Sequence, residues 1–437
     1  MQATVRRSKT LVIGLALVLA AFVRPVEGLV FYEQREALRP PIPQLRADLR
    51  QAVVDLSGRW EYRIGGKGAF QPCWMPVCFA GEEAVLEFRR RFNLADSLRN
   101  LHFQLHLPEI SYSVEAWVNG SLVSSFAGDH LGMRCDLAPG LLQFGSSNEI
   151  LLRVDNELTP RSTLPVRMRF LGPRNYGGVF SGVFLRGVPE LSVEDVGMLV
   201  ESLRDSTAIR GSVHVRLAQY QSRAARQDST HGGREARLYV TLCDTSRRMI
   251  FDVWSERIQH SSGEGFVISV PAPRFAASPW TPGRPVLYDL TASLVTGADT
   301  LHRLTRRVGF KTVETRDGDL YLNGQRLRLR GVDYIIESSR GGRAVAPSQI
   351  RQDLSAIREL GMNAVRVPFD PPSPDLLNAA DEMGLLVLAE LGLDWIPGDV
   401  LTRPTYRALV RHSADALLET CADHVCVLGW GIGSNLD

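Results

Sequence analysis

Three patterns in the chain predict its fold class. Apolar and polar residues alternate with period 2 from Leu56 to about Val154, and again from about Leu191 to Thr312. From Leu327 onward, strand-like apolar runs alternate with helical patterns. Short period-2 runs between turn residues describe antiparallel sheets with one buried face, and β-α-β alternation describes a parallel sheet with helical crossovers. The predicted fold is multidomain: a jelly-roll-like β-sandwich, an immunoglobulin-like β-sandwich, then the first half of a (β/α)8 barrel.

Residues 1–28 read as a signal peptide. Arg6, Arg7 and Lys9 form a basic start, Thr10 to Val23 is a short apolar run, and Val26-Glu27-Gly28 offers small residues before a cut at Gly28/Leu29. The run is shorter than the roughly 20 residues needed to span a bilayer. The expected location is secreted or periplasmic, with an uncleaved membrane anchor as the alternative. No later segment reads as long and apolar enough to cross a membrane. Residues 29–55, rich in Pro and Arg, read as a leader lying across the surface.

The first sandwich, 56–190, is read from Trp60-Glu-Tyr62-Arg-Ile64, Leu86-Glu-Phe88, Leu101-His-Phe103-Gln-Leu105, Val114-Glu-Ala116-Trp-Val118 and Ile150-Leu-Leu-Arg-Val154. Asn119-Gly120 is a hairpin turn signal. Asn119-Gly-Ser121 is also a formal glycosylation sequon, and the turn is the preferred reading. The second sandwich, 191–312, includes Ser212–Leu217, Ala236–Leu242, Phe266–Val270 and Tyr288–Leu294, with a polar excursion from Gln221 to Arg234. About seven short strands in about 120 residues fit an immunoglobulin-like sandwich.

The last domain, 313–437, is a partial barrel of four strands. Leu327–Val332 is the first. Ser348 caps a helix whose apolar face is Ile350, Leu354, Ile357 and Leu360, stopped by Gly361. Asn363–Val367 is the second strand. Ser373-Pro374-Asp375 opens the next helix with a cap, a Pro at its first position and an acidic first turn, and Gly384 ends it. Leu385–Ala389 is the third strand. A helical stretch from about Pro404 to Asp423 leads to the closing strand at Cys426. A closed barrel needs about 250 residues and eight strands. The roughly 110 residues available predict a fragment of a longer chain, with a truncated product or a half-barrel completed by a partner as alternatives.

Composition narrows the function classes. Apolar content of 44% and charged content of 22% are ordinary for a folded soluble protein. A formal charge of +2 gives no argument for nucleic acid or a polyanion. Lysine occurs only at 9, 67 and 311, and the many arginines are scattered rather than clustered. The cysteines at 73, 78, 135, 243, 421 and 426 match no disulfide framework. Cys421-x-x-His424-x-Cys426 superficially resembles a metal cluster, but a fourth ligand is not evident, so core packing is the reading. No metal site, cofactor, nucleotide loop or nucleophile elbow is expected.

Several segments in this order resemble glycoside hydrolase family 2, the group of β-galactosidases, β-glucuronidases and β-mannosidases. They are Leu56-Ser-Gly-Arg-Trp60, Val118-Asn-Gly120, Asn148–Asn156, Tyr176-Gly-Gly-Val-Phe-Ser-Gly-Val-Phe-Leu185, Pro279-Trp-Thr-Pro-Gly-Arg-Pro-Val-Leu-Tyr288, Val308-Gly-Phe310, Leu322-Asn-Gly324, Arg330-Gly-Val332, Asn363-Ala-Val-Arg366 and Asp381-Glu-Met-Gly-Leu385. The resemblance runs from about Leu56 to the end. It implies a retaining β-glycosidase with two carboxyls about 5 Å apart.

Parallel barrels gather their sites at the C-terminal ends of the strands. There lie Asp333, Arg366, Glu390 and, after the fourth strand, Ser434, Asn435 and Asp437, with Trp395 and Trp430 nearby. The expected substrate-binding residues are Asp333, Arg366, Glu390, Trp395 and Trp430. Arg366 can equally serve a structural network with Glu390 or Asp333, and core or barrel lining is the preferred reading of the two tryptophans over sugar stacking. In the family that the chain resembles, the acid/base is the Glu of a Trp-Ser-x-Gly-Asn-Glu segment. Here the segment is Trp430-Gly-Ile-Gly-Ser434-Asn435, so the proton donor's position holds an amide. A neutral amide is not acidic enough to protonate a leaving oxygen. Asp437 is the candidate substitute acid. The family's Arg-x-x-His-Tyr-Pro is Arg366-Val-Pro-Phe369-Asp370-Pro371, its Asn after the first strand is Asp333, and its nucleophile would lie beyond Asp437. The expected function is that of an exported family-2-like protein of carbohydrate metabolism, truncated as it stands and catalytically impaired. The alternative is a non-catalytic carbohydrate-binding or scaffold pseudo-glycosidase. The expected partner is a β-glycoside, with no nucleic acid, no membrane after signal cleavage and no indication of oligomeric state.

Overall fold

The structure is a computed structural model that describes residues 22–26, 29–33, 51–81, 83–166, 175–202, 208–220, 236–258 and 265–434. Most of the predicted signal, the Gln221–Arg234 excursion, Asn435 and Asp437 lie outside the described residues.

The first unit is built from three antiparallel sheets. The largest orders Ser121–Ala127, Ser113–Val118, Ser147–Asp155, Val85–Asn93, Gly58–Ile64 and Gln71–Met75. A second orders Met133–Asp136, His102–Leu107, Phe184–Val188 and Ala52–Asp55, and a third Phe22–Val26, Leu29–Glu33, Val77–Ala80 and Tyr176–Val179. Strand Ser147–Asp155 shows why the sequence alternates: Ile150, Leu152 and Val154 are fully buried while Arg153 faces solvent. Trp60 is buried with its indole N–H donating to Leu56 O at 2.6 Å, which satisfies the ring's polar atom. Asn119 and Gly120 both take positive φ, as the hairpin turn requires. The Asn119 side-chain nitrogen donates to Leu141 O and Asn148 Oδ1, so the amide of the sequon is already engaged.

The leader differs from its sequence reading. Leu29–Glu33 is a strand paired to Val77–Ala80, and Leu29 and Phe31 are buried in the core. Its apolar residues outweighed the Pro- and Arg-rich composition around them. Phe22–Val26 pairs back onto it, across the Gly28/Leu29 bond where sequence places signal cleavage.

The second unit stacks a sheet of Leu191–Ser202, Arg210–Gln219 and Phe266–Pro271 on one of Met249–Trp254, Ala236–Asp244, Tyr288–Thr296 and Asp299–Val308. It has its own apolar core, whereas the first unit shares one continuous core with the last.

After a small hairpin sheet at 313–326, four parallel strands follow: β1 (Gly331–Asp333), β2 (Ala364–Val367), β3 (Leu386–Asp394) and β4 (Val427–Ser434). They pair in sequence order, all parallel. Helices α1 (Pro347–Glu359), α2 (Pro374–Met383), α3 (Gly398–Leu401) and α4 (Pro404–Cys421) connect them. β1 is shorter than Leu327–Val332 and sits later, because Leu327–Arg330 is irregular. The cap of α1 is Ala346, with Pro347 at the first position, so Ser348 lies inside the helix. α2 follows its sequence reading: Ser373 Oγ accepts from Leu376 N at 3.2 Å, and Gly384 closes the helix at φ 75°. β3 runs five residues past Ala389, to Asp394, by means of a bulge between Glu390 and Leu393.

Candidate active site

The C-terminal ends of β1 to β4 bring together four side chains from strands far apart in sequence. Arg366 on β2 donates to Glu390 Oε2 on β3 through Nε at 2.9 Å and Nη2 at 2.8 Å. Its Nη1 donates to Asp333 Oδ2 on β1 at 3.3 Å. Ser434 on β4 donates to Glu390 Oε1 at 3.0 Å and accepts from Arg366. The parallel register sets this up, since Asp333 is level with Arg366, and Glu390 is level with Gly431. The glutamate side chain is only 6% exposed, against 35% for Arg366 and 57% for Asp333. Glu390 is thus the buried member of the network, with the partly exposed Arg366 and the exposed Asp333 beside it. Desolvation pulls the Arg366 pKa down, but the bonds and charges of Glu390 and Asp333 outweigh it and hold the guanidinium above its ordinary value.

Two glycines make room for this arrangement. A Cβ at Gly431 would lie 3.2 Å from Glu390 Cγ and Oε2. A Cβ at Gly433 would lie 2.1 Å from Leu393 O, at the bulge of β3. Backbone strain collects at the same ends. Phe369, just past β2, has φ 69° and Trp395, just past β3, has φ 53°, a region that bulky side chains rarely adopt. Trp395 N donates to Ser434 O at 3.3 Å and ties its loop to the tip of β4.

The residues read from sequence therefore divide. Asp333, Arg366 and Glu390 meet in one network, and Ser434 joins it. Trp395 stands at its edge, 37% exposed. Trp430 does not join. Gly431 lies against Glu390, and neighbouring strand residues point to opposite faces, so Trp430 turns to the helical side, toward Cys421 of α4. It is neither core nor lining, being 53% exposed. Asn435 and Asp437 lie outside the described residues.

Sequence reasoning missed a second polar cluster, behind the strand ends. His130 Nδ1 sits 2.6 Å from Asp370 Oδ1 in a buried pair. Arg343 reaches Asp370 at 3.7 Å and Glu109 at 3.8 Å. Asp129 lies alongside, and burial pushes both the Glu109 and the Asp129 carboxyls up to about 7. Burial pulls His130 down, and the Arg343 guanidinium together with His130 outweighs burial to hold Asp370 below the usual carboxylate range. Glu109, Asp129 and His130 come from the first unit, Arg343 and Asp370 from the loops after β1 and β2. Asp370 is the residue after the strained Phe369, so the first unit grips a loop of the site. Such residues, scattered over four separate loops, carry no periodic signal.

Cys421 and Cys426 are buried, in line with the core-packing reading of their segment. Asp381, His424 and Cys426 form the group among the described residues whose ligand atoms all lie within 4.8 Å. Asp381 is occupied, however: Oδ2 pairs with His424 Nδ1 at 2.6 Å and Oδ1 accepts from Cys426 N at 2.7 Å. Lys311 donates to Val425 O and Val427 O beside them, which opposes a cation. These bonds fasten α2 to the start of β4.

Comparison with known proteins agrees with the architecture. The model described as "Glycosyl hydrolases family 2" matches residues 205–311, and "Glycosyl hydrolases family 2, TIM barrel domain" matches 313–398. A putative beta-glucuronidase of Formosa agariphila is 23% identical over 352 residues, covering 80% of this chain and 39% of the relative. A beta-galactosidase of Thermoanaerobacter pseudethanolicus is 24% identical over 351 residues, covering 80% of this chain and 44% of the relative. Among solved structures, Bacteroides uniformis beta-glucuronidase 2 superposes with a TM-score of 0.76 at 18% identity, over 88% of this chain and 47% of that one. The beta-galacturonidase of Eisenbergiella tayi, bound to galacturonate, superposes with a TM-score of 0.73 at 20% identity, over 90% of this chain and 67% of that one. The chain spans less than half the length of the two curated relatives. The two adjoining domain models are both those of glycoside hydrolase family 2, the relatives and folds agree with them, and it is the N-terminal part of that family that the chain matches.

Proposed function

We propose that this chain is a carbohydrate-metabolism protein that receives a β-glycoside at the ends of β1 to β4 and is impaired in hydrolysing it. The carrying observation is the Asp333–Arg366–Glu390–Ser434 network. A sugar presents hydroxyls that both donate and accept, and this site offers fixed acceptors on Asp333 and Glu390 beside a fixed donor, Arg366. The relatives' names, beta-glucuronidase and beta-galactosidase, support the substrate class. On this reading the parallel sheet is the first half of a (β/α)8 barrel, carried on a jelly-roll-like and an immunoglobulin-like sandwich.

Impairment rests on the acid. Asn435 stands at the family's proton-donor position. Glu390 does not replace it, because its two oxygens already accept from Arg366 and Ser434. Purified chain given 4-nitrophenyl β-galactoside, β-glucuronide and β-mannoside should release no nitrophenol. Turnover that disappears in Asp333→Ala tests binding only, whereas turnover that disappears in Asp437→Ala makes Asp437 the acid and overturns impairment. For binding, titration with galacturonate and glucuronate should give an affinity that Asp333→Ala lowers about tenfold, the worth of one charge-assisted hydrogen bond. An unchanged affinity would move the sugar elsewhere.

A second reading, a non-catalytic scaffold, is favoured by Phe369, which fills the family's His position with an apolar ring. Export is part of the proposal. The mature chain from a secreting host should begin at Leu29 on N-terminal sequencing, with Leu29–Glu33 left as the sheet's edge. A chain beginning at residue 1 in the membrane fraction would support the anchor instead.

A further inference from the structure

We propose that the buried cluster of Glu109, Asp129, His130, Arg343 and Asp370 is a proton-sensitive positioning device for the strand-end site. By taking up protons it tightens the loop after β2 against the bulge of β3, and so holds Arg366 and Glu390 in place for a sugar. The inference rests on the sugar-binding reading of that site.

The path from the cluster to the site is short. Phe369 and Asp370 stand in the loop that β2, which carries Arg366, runs into. The Phe369 carbonyl packs on Gly392, where a Cβ would lie 2.8 Å from the oxygen. Gly392 is inside the β3 bulge, between Glu390 and Leu393. A shift of the Asp370 loop therefore presses on the stretch of backbone that bears Glu390. The left-handed φ of Phe369, 69°, persists only if its surroundings impose it. The grip on the next residue does so: His130 Nδ1 lies 2.6 Å from Asp370 Oδ1, and Arg343 lies 3.7 Å from Oδ2.

The charges make this grip depend on protons. Among the described residues, Arg343 is the one permanent cation facing these carboxyls, and its Nε and Nη2 are buried without a hydrogen-bond partner. Asp370 faces both Glu109 and Asp129, and Asp375 in the first turn of α2 also faces Glu109. Burial favours the neutral forms of His130 and Tyr112, and α4 presents only the Ser413 hydroxyl to Asp129. With Glu109 and Asp129 protonated, Arg343 serves Asp370. With both ionised, three carboxylates crowd one guanidinium, and Glu109, 3.8 Å from it, competes with Asp370. Burial pushes both carboxyls up to about 7, whereas an opened, hydrated loop returns them to the ordinary carboxyl range. The closed joint thus binds protons that the open one releases, and it weakens as pH rises from that range to about 7.

Hydrogen exchange of the full chain, read by mass spectrometry and corrected for the intrinsic effect of pH, tests this without a ligand. Amides of 390–395 should open about tenfold more readily at about pH 7.5 than at about pH 5. Glucuronate, whose carboxyl is ionised at both, should bind about tenfold more weakly at the higher pH. Glu109→Gln with Asp129→Asn should keep the low-pH exchange and affinity at about pH 7.5, because neither amide titrates. Asp370→Asn should open readily at both. Exchange of 390–395 that ignores pH in the native chain, or that follows pH equally in the double variant, overturns the proposal. So does a change spread evenly through the first unit and the sheet, which would mark a structural role alone. Absence of glucuronate binding at either pH would refute the sugar reading of the strand ends, while the exchange data still decide the positioning.

Discussion

Arg366 donates to Glu390 at 2.9 and 2.8 Å, so its removal leaves a nearly buried carboxylate without its cation. Breaking a buried pair costs several kcal/mol, less where one partner is partly exposed as Arg366 is. Arg366→Ala should therefore lower stability by about 2–3 kcal/mol in urea denaturation. A loss under about 0.5 kcal/mol would mean that water replaces the arginine. The buried carboxyls behind the site give a pH prediction. Asp129 is pushed up to about 7 in the folded chain, while an unfolded Asp loses its proton near its ordinary value. The unfolded state therefore binds fewer protons between those values, and Asp129 makes stability fall as pH rises through that window. Asn does not titrate, so the melting temperature of Asp129→Asn minus that of the native chain should climb from about pH 4.5 to about 7.5. A flat difference would show that the carboxyl is solvated. Histidines act oppositely. Burial pulls His302 down to about 3, so it stays neutral when folded but takes a proton when unfolded below its ordinary value. Its contribution is present above about pH 6.5 and is lost as pH falls toward its folded value. His302→Gln should reduce the native chain's loss of melting temperature between about pH 6.5 and 4.5.

At the level of elements, local sequence decided what local physics governs. Ser373-Pro374-Asp375 and Gly384 bracket α2 as caps do, and Ser373→Ala should cost about 1 kcal/mol, measured by chemical denaturation. Ser348 misled because a Pro one residue earlier takes the first helical position and makes Ala346 the cap. β1 misled because Leu327–Arg330 alternates like a strand but has no parallel neighbour to pair with until Gly331 meets Ala364. β3 ran long because β4 offers a partner as far as Ser434, which no property of Leu385–Ala389 reveals. At Gly433 an added Cβ would run into the backbone of Leu393 on β3. Gly433→Ala should pry the bulge open, cost about 2 kcal/mol or more, and detach Ser434 from Glu390. Unchanged stability in that variant would mean that the tip of β4 shifts freely.

For the whole molecule, the shared core is the organising fact. Phe31, Trp60 and Leu152 of the first unit belong to the same apolar cluster as Val365, Val387 and Tyr406, so the first unit and the parallel sheet should unfold as one body. The second unit, with a separate core, is joined to them through contacts such as Trp280 Nε1 donating to Asp381 O at 2.9 Å. β4 pairs only with β3 among the described residues and exposes Trp430 and Ile432, an edge of the kind that associates. Ile432→Lys should lower concentration-dependent association in sedimentation runs, and equal association would place the sticky surface elsewhere. The sequence by itself determined the order of the units, the antiparallel and parallel grammar, the caps of α2, and Arg366, Glu390 and Asp333 as residues at strand ends. Periodicity and cap chemistry are local, and a chain of about ten residues displays them without knowing its neighbours. Only the tertiary structure decided that Leu29–Glu33 is core, that Trp430 faces the helices and that His130 and Arg343 hold Asp370. It also decided that Trp254 packs against Tyr239 across two neighbouring strands. Those outcomes depend on register and docking between segments distant in the chain, where a shift of one residue turns a side chain to the other face.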